Sequence, residues 1–589
     1  MITLDHVNFA YSDTDALVLD DISLTIPTGS FVAVVGDNGA GKSTFCKLLN
    51  GIIPHFIDGE LDGTITVDGQ DISNLKPSQL AHKIGYVYQD FENQILRPKV
   101  LDDAAFGLLN AGEEDYVNIS MEILATLDLA HLADEYVWQL SGGQKHLLAL
   151  AGVLVMSPNV IVLDEPIAQL DPIHALKIYE NLAYLNRDLG KTIIVIEHNA
   201  DFIGKYCDHM LFMKDHKVEW FLPVKDALQR VDELISGGIY PPQVTLLGHE
   251  LRKKGLSQDL TLPIDLPEAH DFMTAAQVPA VTQVEAGYAR GAGQVHRLSD
   301  VDPDADLFTK EAIIQLKDVS VEYDRINESA HRVIDHMTLD INKGDRLAII
   351  GNNGAGKSSI MKLLMGLVKA KTGQVLIDDH YTKNLRPEEI SNILGYVYQN
   401  PENMFIEDSI EKDIAYSMKA RGHKDYQERA DALLAQFHLS DLRDRDGRLL
   451  SGGQMRRASL AIGVSLGPKA LLLDEPTASL DMATRQRITQ TLRDVSSSIE
   501  TVIIATHDMQ LVAEWANRII VVNQGQIIGD GTREEIFNNP DLLAQAGIAV
   551  PAIIELTRDL DGDTYYSVGD YMADLAHCLN QEEEWEEIG

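Results

Sequence analysis

The sequence is short of cysteine, of positive charge and of long apolar runs, and each shortage excludes something. Its three cysteines, Cys46, Cys207 and Cys578, are odd in number, far apart and form no CxxC pair. A zinc, iron–sulfur or disulfide framework is therefore excluded. Lysine and arginine together number 49 against 90 aspartates and glutamates, a net charge of -41. Such a surface repels phosphate backbones, which disfavours binding to nucleic acid or ribosomes. The longest apolar run, LLALAGVLVM at 147–156, is well short of the roughly 20 residues of a membrane span and reads as a buried helix. The opening MITLDHVNFA has no basic-then-apolar leader, so no secretory signal is expected. A cytoplasmic chain without a membrane anchor of its own is the expectation.

What is present is ordinary in bulk, 45% hydrophobic and 24% charged, and the length suggests two to four domains. The order within it is not ordinary, because the chain is written twice. GDNGAGKST at 36–44 returns as GNNGAGKSS at 351–359, and LSGGQ at 140–144 returns at 450–454. GYVYQ ends at Gln89 and Gln399, VIVLDEP and ALLLDEP end at Pro166 and Pro476, and IEHN and ATHD carry His198 and His507. Gln89, Ser141 and Asp164 all recur 310 residues later. The lysine-to-glutamine interval differs because the first half has extra residues in PHFIDGELDG at 54–63. GIYPPQV at 238–244 and GIAVPAI at 547–553 extend the repeat.

The fold class expected is α/β: two phosphate-loop domains in tandem, each with a helical insertion and a small C-terminal helical appendage. The boundaries are 1–235 and 312–540 for the domains and 236–274 and 541–589 for the appendages. A Pro-, Gly- and Asp-bearing linker is placed at 275–311. FVAVVG and LAIIG read as buried strands running into glycine-rich turns. SMEILATL and ADALLAQF space Ile123, Leu124 and Leu127, and Leu433, Leu434 and Phe437, as amphipathic helices do.

In the glycine-rich loop, backbone N–H groups close around phosphates at a helix N-terminus. Gly36, Asn38, Gly39 and Gly41 with Thr44 in one half, and Gly351, Asn353, Gly354 and Gly356 with Ser359 in the other, form that cradle. Lys42 and Lys357 reach the β- and γ-phosphates, and Ser43 and Ser358 offer hydroxyls to Mg²⁺. Asp164 and Asp474, at strand ends, suit Mg²⁺, and the following Glu165 and Glu475 suit polarising a water. Gln89 and Gln399 can sense the γ-phosphate, the metal or the water. His198 and His507 follow apolar strands at a sheet edge and point to a phosphate contact. Tyr11 and Tyr323 are candidates to stack on adenine, although a core tyrosine would look identical.

The ordered set, with LSGGQ between the glutamine and the aspartate, resembles the ATPase domain of ATP-binding cassette (ABC) proteins across both halves. The resemblance implies ATP and Mg²⁺ as ligands and two halves facing head to tail. Ser451 and Gly453 then complete the site of Lys42, and Ser141 and Gly143 that of Lys357. Within that family, NGIIPHFIDGELDGTITVDG, YQDFENQI, YQNPENMF and the GI…P appendages resemble the fused ATPases of energy-coupling factor (ECF) transporters. That likeness implies a transmembrane coupling subunit, a substrate-binding membrane subunit, a peripheral place on the cytoplasmic face of the cell membrane, and uptake of a vitamin, vitamin precursor or metal ion. Asp90, Glu92 and Glu402 would meet arginines of the coupling subunit, or form merely a solvated loop. Two departures suggest unequal sites: KHLLALA after the first LSGGQ, where the second half reads MRRASLA, and PIAQLD where it reads PTASLD. The rival class is a soluble tandem ABC ATPase on ribosomes or nucleic acid, against which the charge and the cysteine count argue.

Overall fold

Every residue of Val160–Asp164 is buried, as is every residue of Thr192–Ile196 and Phe31–Gly36. Strands buried on both faces must be apolar throughout, which is why these segments lack the in–out alternation of surface strands. The computed structural model describes residues 1–12, 16–168, 170–279, 311–323, 331–478, 480, 482–561 and 564–586. The chain divides into two units, Met1–Val278 and Pro279–Gly589.

In the first unit a six-stranded sheet runs in the order Lys217–Pro223, His209–Lys214, Phe31–Gly36, Thr192–Ile196, Val160–Asp164, Ile84–Val87. All its pairings are parallel except the first, a hairpin. A second, antiparallel sheet has the order Leu17–Ile26, Ile2–Tyr11, Gly59–Val67, Gln70–Asp71. The second unit repeats both sheets. Its parallel core is Leu394–Val397, Ala470–Asp474, Thr501–Thr506, Arg346–Ile350, Arg518–Asn523, closed by antiparallel Gln526–Thr532.

This order corrects one expectation. The strands preceding His198 and His507 are not at a sheet edge; Thr192–Ile196 and Thr501–Thr506 are interior, each beside the strand that feeds the glycine-rich loop. Edge position cannot be read from a parallel strand, because its neighbours are set by crossovers rather than hairpins. The functional consequence is favourable. The carboxyl ends of three adjacent strands deliver the phosphate loop, the aspartate–glutamate pair and the histidine to one end of the sheet, where ligands of open α/β sheets bind.

Between Gln89 and Asp164 the chain leaves the sheet as helices, including Tyr116–Thr126 and Gly142–Leu154. Leu124 and Leu127 pack with Leu147, Leu148 and Leu150 in one core, each such side chain contributing roughly 1.5–3 kcal/mol of burial. In the second unit Tyr426–Gln436 buries Leu434, and Gly452–Val464 buries Leu460. The extra residues of the first half form the short helix Ile52–His55 and lengthen the strand Gly59–Val67, whose counterpart Thr372–Ile377 is shorter. Helix Gln243–Lys253 begins within the first GIYPPQV and Leu266–Ala275 follows it; Ala552–Asp561 begins within the second motif and Val568–Glu586 follows it. Most of the expected linker, 280–310, lies outside the described residues. Among the described residues no helix is long and apolar enough to cross a membrane.

Candidate active site

The strand Phe31–Gly36 turns through the glycine-rich loop into the helix Lys42–Leu49, and Arg346–Ile350 turns likewise into Lys357–Leu364. Gly41 caps its helix at φ 99, and a Cβ there would sit 2.6 Å from the Val18 carbonyl oxygen. Gly356, at φ 109, would meet the Val333 oxygen at 2.8 Å. Both the left-handed backbone and the space demand glycine. Lys42 Nζ donates to the carbonyls of Gly36 at 2.7 Å and Asp37 at 2.9 Å. Lys357 Nζ repeats this toward Gly351 at 2.6 Å and Asn352 at 3.2 Å. Both lysines are buried, so the ammonium is fixed under the loop rather than waving in solvent. In the second unit a cavity of about 240 Å³ is lined by Asn353, Gly354, Lys357, Ser358, Gln399 and Glu475. One concavity thus collects residues from three separate motifs.

Asp164 and Asp474 end their strands buried. Tyr86 Oη donates to Asp164 at 3.1 Å, and Ser43 hydrogen-bonds the same carboxyl. Ser358 Oγ donates to Asp474 at 3.1 Å and Tyr396 Oη at 3.2 Å. Burial pushes both carboxyls above the usual range; the neighbouring glutamate charge adds to this, and the hydroxyl bonds oppose it. A cation would relieve that cost. An all-oxygen set of serine hydroxyl and buried carboxylate, at the start of the phosphate-loop helix, suits Mg²⁺.

Glu165 and Glu475 each adopt positive φ, 49° and 47°. A non-glycine residue there is strained by roughly 1–3 kcal/mol, a cost found disproportionately at functional positions. The strain aims each carboxylate at the histidine. His198 Nε2 lies 3.3 Å from Glu165 Oε1, and Gln89 Nε2 donates to Oε2 at 2.7 Å. His507 Nδ1 lies 2.9 Å from Glu475 Oε1, Thr506 Oγ1 donates to Oε2 at 3.0 Å, and Lys357 Nζ stands 3.8 Å away. Burial alone would raise both glutamates, but the histidine bond and charge together with the lysine charge outweigh it and hold them below the ordinary value. His507 is lifted, since the Glu475 bond and charge overcome the effect of its burial. A carboxylate kept ionised at this spot can orient and polarise a water.

Ser141 and Ser451 are helix N-caps, as a motif at a helix start requires. Each serine Oγ accepts from the backbone N–H of the motif's own glutamine, at 3.3 and 3.5 Å. Each glutamine side chain accepts from the serine N–H, at 2.9 and 3.1 Å. The glutamine of LSGGQ therefore closes its own capping box. A Cβ on Gly143 would lie 2.4 Å from His174 Cδ2, and one on Gly453 2.6 Å from Thr484 Cγ2, so the helix start is crowded on its inner side. The hydrogen bonds described for Ser141 and Ser451 stay within their own helix starts. Tyr11 Oη bonds Thr44 Oγ1 at 2.8 Å, and Tyr323 Oη approaches Ser359 Oγ at 3.5 Å. Both rings stand beside the end of the phosphate loop and are partly accessible. Of the acidic residues Asp90, Glu92 and Glu402, Glu92 is paired with Lys145 at 2.6 Å.

Sequence reasoning passed over Glu197. Its buried carboxylate accepts the N–H groups of His198 at 2.8 Å and Asn199 at 2.9 Å, and Tyr179 Oη donates to it at 3.0 Å. The only signal was IEHN against ATHD, a carboxylate where the second half has Thr506.

Comparison with known proteins gives the same assignment. The family model described as ABC transporter matches twice, over residues 19–168 and 334–478. A "Putative ABC transporter ATP-binding protein" of Methanosarcina acetivorans is 30% identical over 569 residues, covering 95% of this chain and 90% of the relative. Another so named, from Caldanaerobacter subterraneus subsp. tengcongensis, is 30% identical over 96% of this chain and 97% of its own. Among solved structures, cbiO1 from Clostridium perfringens, described as part of the ABC transporter complex cbiONQ, is 27% identical over 41% of this chain and 98% of its own, with a TM-score of 0.36. The chain belongs to the ABC transporter family, as a tandem ATPase that carries two ATP- and Mg²⁺-binding domains in one polypeptide.

Proposed function

We propose that this chain is the ATPase subunit of an ECF-type importer, peripheral on the cytoplasmic face of the membrane, and that its halves grip two ATP molecules head to tail. The cargo class is a micronutrient: a vitamin, a vitamin precursor or a metal ion. The ATPase domains are 1–235 and 312–540, the appendages at 236–274 and 541–589 help hold the pair together, and 275–311 joins them.

The observation that carries coupling to a partner is a groove of about 480 Å³ in the first unit, lined by Phe56, Pro77, Ala81, Tyr88, Gly152 and Met156. Phe56 is 77% exposed, an unusual posture for a phenylalanine, and it belongs to the segment that the second half lacks. Tyr88 is the residue before Gln89, so a membrane partner's segment seated in the groove would press on the residue that holds Glu165. Exposed Asp90 and Glu92 offer carboxylates to arginines of that segment, and exposed Glu402 offers one to arginines of a partner at the second half.

At each site the lysine and loop amides bind the phosphates, and Tyr11 or Tyr323 stacks on adenine. Ser43, Asp164 and Gln89, or Ser358, Asp474 and Gln399, would hold Mg²⁺, which neutralises charge on the phosphate oxygens. Glu165 or Glu475 orients the water, and His198 or His507 fixes that carboxylate and contacts the γ-phosphate. Ser451 and Gly453 complete the site of Lys42, and Ser141 and Gly143 that of Lys357. Exposed serine and amide donors at a helix start have the chemistry of an anion site.

The test is affinity purification of the full chain from native membranes with identification of what accompanies it. A multi-spanning membrane protein and a smaller membrane protein are expected. Phe56→Asp should cut their recovery about tenfold, as loss of an interface anchor does, while the free chain still hydrolyses ATP. Recovery of ribosomes or nucleic acid in their place would overturn the proposal.

A further inference from the structure

Arg456 lies on the signature helix Gly452–Val464 and is 2% exposed. Its guanidinium donates to two backbone carbonyls of the glutamine loop, Tyr398 at 2.9 Å and Gln399 at 2.8 Å. Burial draws its proton affinity down to about 10, partly offset by Glu475 and Asp474, so it stays charged at neutral pH. Two charge-assisted bonds from a rigid fork fix direction as well as distance. The helix that bears Arg456 starts at Ser451, roughly 7–8 Å away along the axis at 1.5 Å per residue. A shift of Gln399 is therefore passed to the signature of the same half.

The corresponding place in the first half is built otherwise. His146 stands 310 residues before Arg456, and Phe91 the same distance before Pro401. His146 is 1% exposed and stacks flat on Phe91, with ring centroids 4.8 Å apart and 10° between planes. Its Nδ1 is buried with no hydrogen-bond partner among the described residues. The polar link that remains, Lys145 to Glu92, is solvent-facing and so weakly constraining. Stacked rings can slide; a bidentate guanidinium cannot.

We propose that Arg456 is a positioning residue that couples Gln399 to Ser451, and so transmits the state of the Lys357 site to the Lys42 site. The reverse path, from Gln89 through His146 to Ser141, is slack. This rests on the head-to-tail pairing proposed above. Because coupling of binding free energies is reciprocal, the asymmetry is kinetic: it lies in which site triggers turnover.

The experiment uses the full-length chain, azido-ATP photolabelling with vanadate trapping resolved by half, and steady-state hydrolysis. Arg456→Gln should lower kcat about tenfold with KM changed less than about twofold, and should reduce trapping at the Lys42 half. Arg456→Lys, which keeps the charge and one donor but loses the fork, should recover only part of the loss. Arg457→Gln, whose arginine caps the Phe437 and His438 carbonyls, should leave trapping unchanged. A kcat for Arg456→Gln equal to the parent, or equal loss at both halves with no rescue by lysine, overturns the inference. Should Arg456→Gln fold poorly, the graft Phe91→Pro with His146→Arg asks the same question by addition: trapping at the Lys357 half should become dependent on the Lys42 half, and no change counts against the proposal. Ser451→Arg separates the two ideas. If it depletes the Lys357 half, the head-to-tail reading fails; if it depletes the Lys42 half while Arg456→Gln does not, only the coupling fails.

Discussion

In the first half Glu165 is held by Gln89 at 2.7 Å and His198 Nε2 at 3.3 Å, whereas in the second Glu475 is held by His507 Nδ1 at 2.9 Å and Thr506 at 3.0 Å. The side chain of Glu165 is 22% exposed, that of Glu475 only 7%. One strand-end residue accounts for much of this. Thr506 turns its hydroxyl to the carboxylate, while Glu197 turns away and takes the N–H groups of the histidine turn. In the second half those N–H groups go elsewhere, that of His507 to Glu475 Oε2 at 3.4 Å and that of Asp508 to Thr506 Oγ1 at 3.0 Å. The lesson is that identical catalytic letters can be held in place by different supports. The carboxylate of the first half depends on its glutamine loop; that of the second is held by its own strand end.

The largest effect expected is the simultaneous Glu165→Gln and Glu475→Gln change, which should lower ATP turnover at least about 100-fold, the usual scale for loss of a positioned base. Phosphate release measures it, and unequal single variants would sharpen the comparison. A pH contrast comes next. Burial holds His146 at about 4, so between pH 6.5 and 4 the unfolded chain binds a proton that the folded first half does not. Stability is fully present above pH 6.5 and is lost as pH falls toward 4, by on the order of 3 kcal/mol. Hydrogen exchange of Gly142–Leu154 should show this loss, His146→Leu should flatten it, and Gly452–Val464, which carries Arg456 there, should lack it.

Smaller still, Gln89→Ala should reduce kcat about tenfold and Gln399→Ala only a few-fold, since Gln89 alone of the pair bonds its glutamate in this structure. Equal effects would erase the distinction drawn between the halves. Least of all, Tyr179→Phe should cost about 1 kcal/mol, the ordinary net worth of one buried hydrogen bond, read as a lower melting temperature. No change would mean that Glu197 does not need its phenolic donor.

Much of this was legible in the sequence because duplication turns single letters into pairs. The phosphate loops, the aspartate–glutamate pairs, the signature at a helix start and the amphipathic helices all fall where their repeated spacing puts them. The missing arginine after the first LSGGQ was visible as well, but its meaning was not. Arg456 acts on the carbonyls of residues 57 and 58 positions away, and a contact to backbone leaves no trace in side-chain pattern. Glu197 was illegible for a related reason: its partner Tyr179 is 18 residues distant on the helix Pro172–Arg187. The histidine strands were misplaced to an edge because a parallel strand does not declare its neighbours.

The central claim is that each nucleotide is shared between the lysine of one half and the signature serine of the other. Photolabelling of a Ser451→Arg chain with azido-ATP, followed by peptide mapping, tests it most directly. Labelled, trapped nucleotide should disappear from the half containing Lys42 and persist in the half containing Lys357; loss confined to the Lys357 half, or no loss at either, would contradict the account.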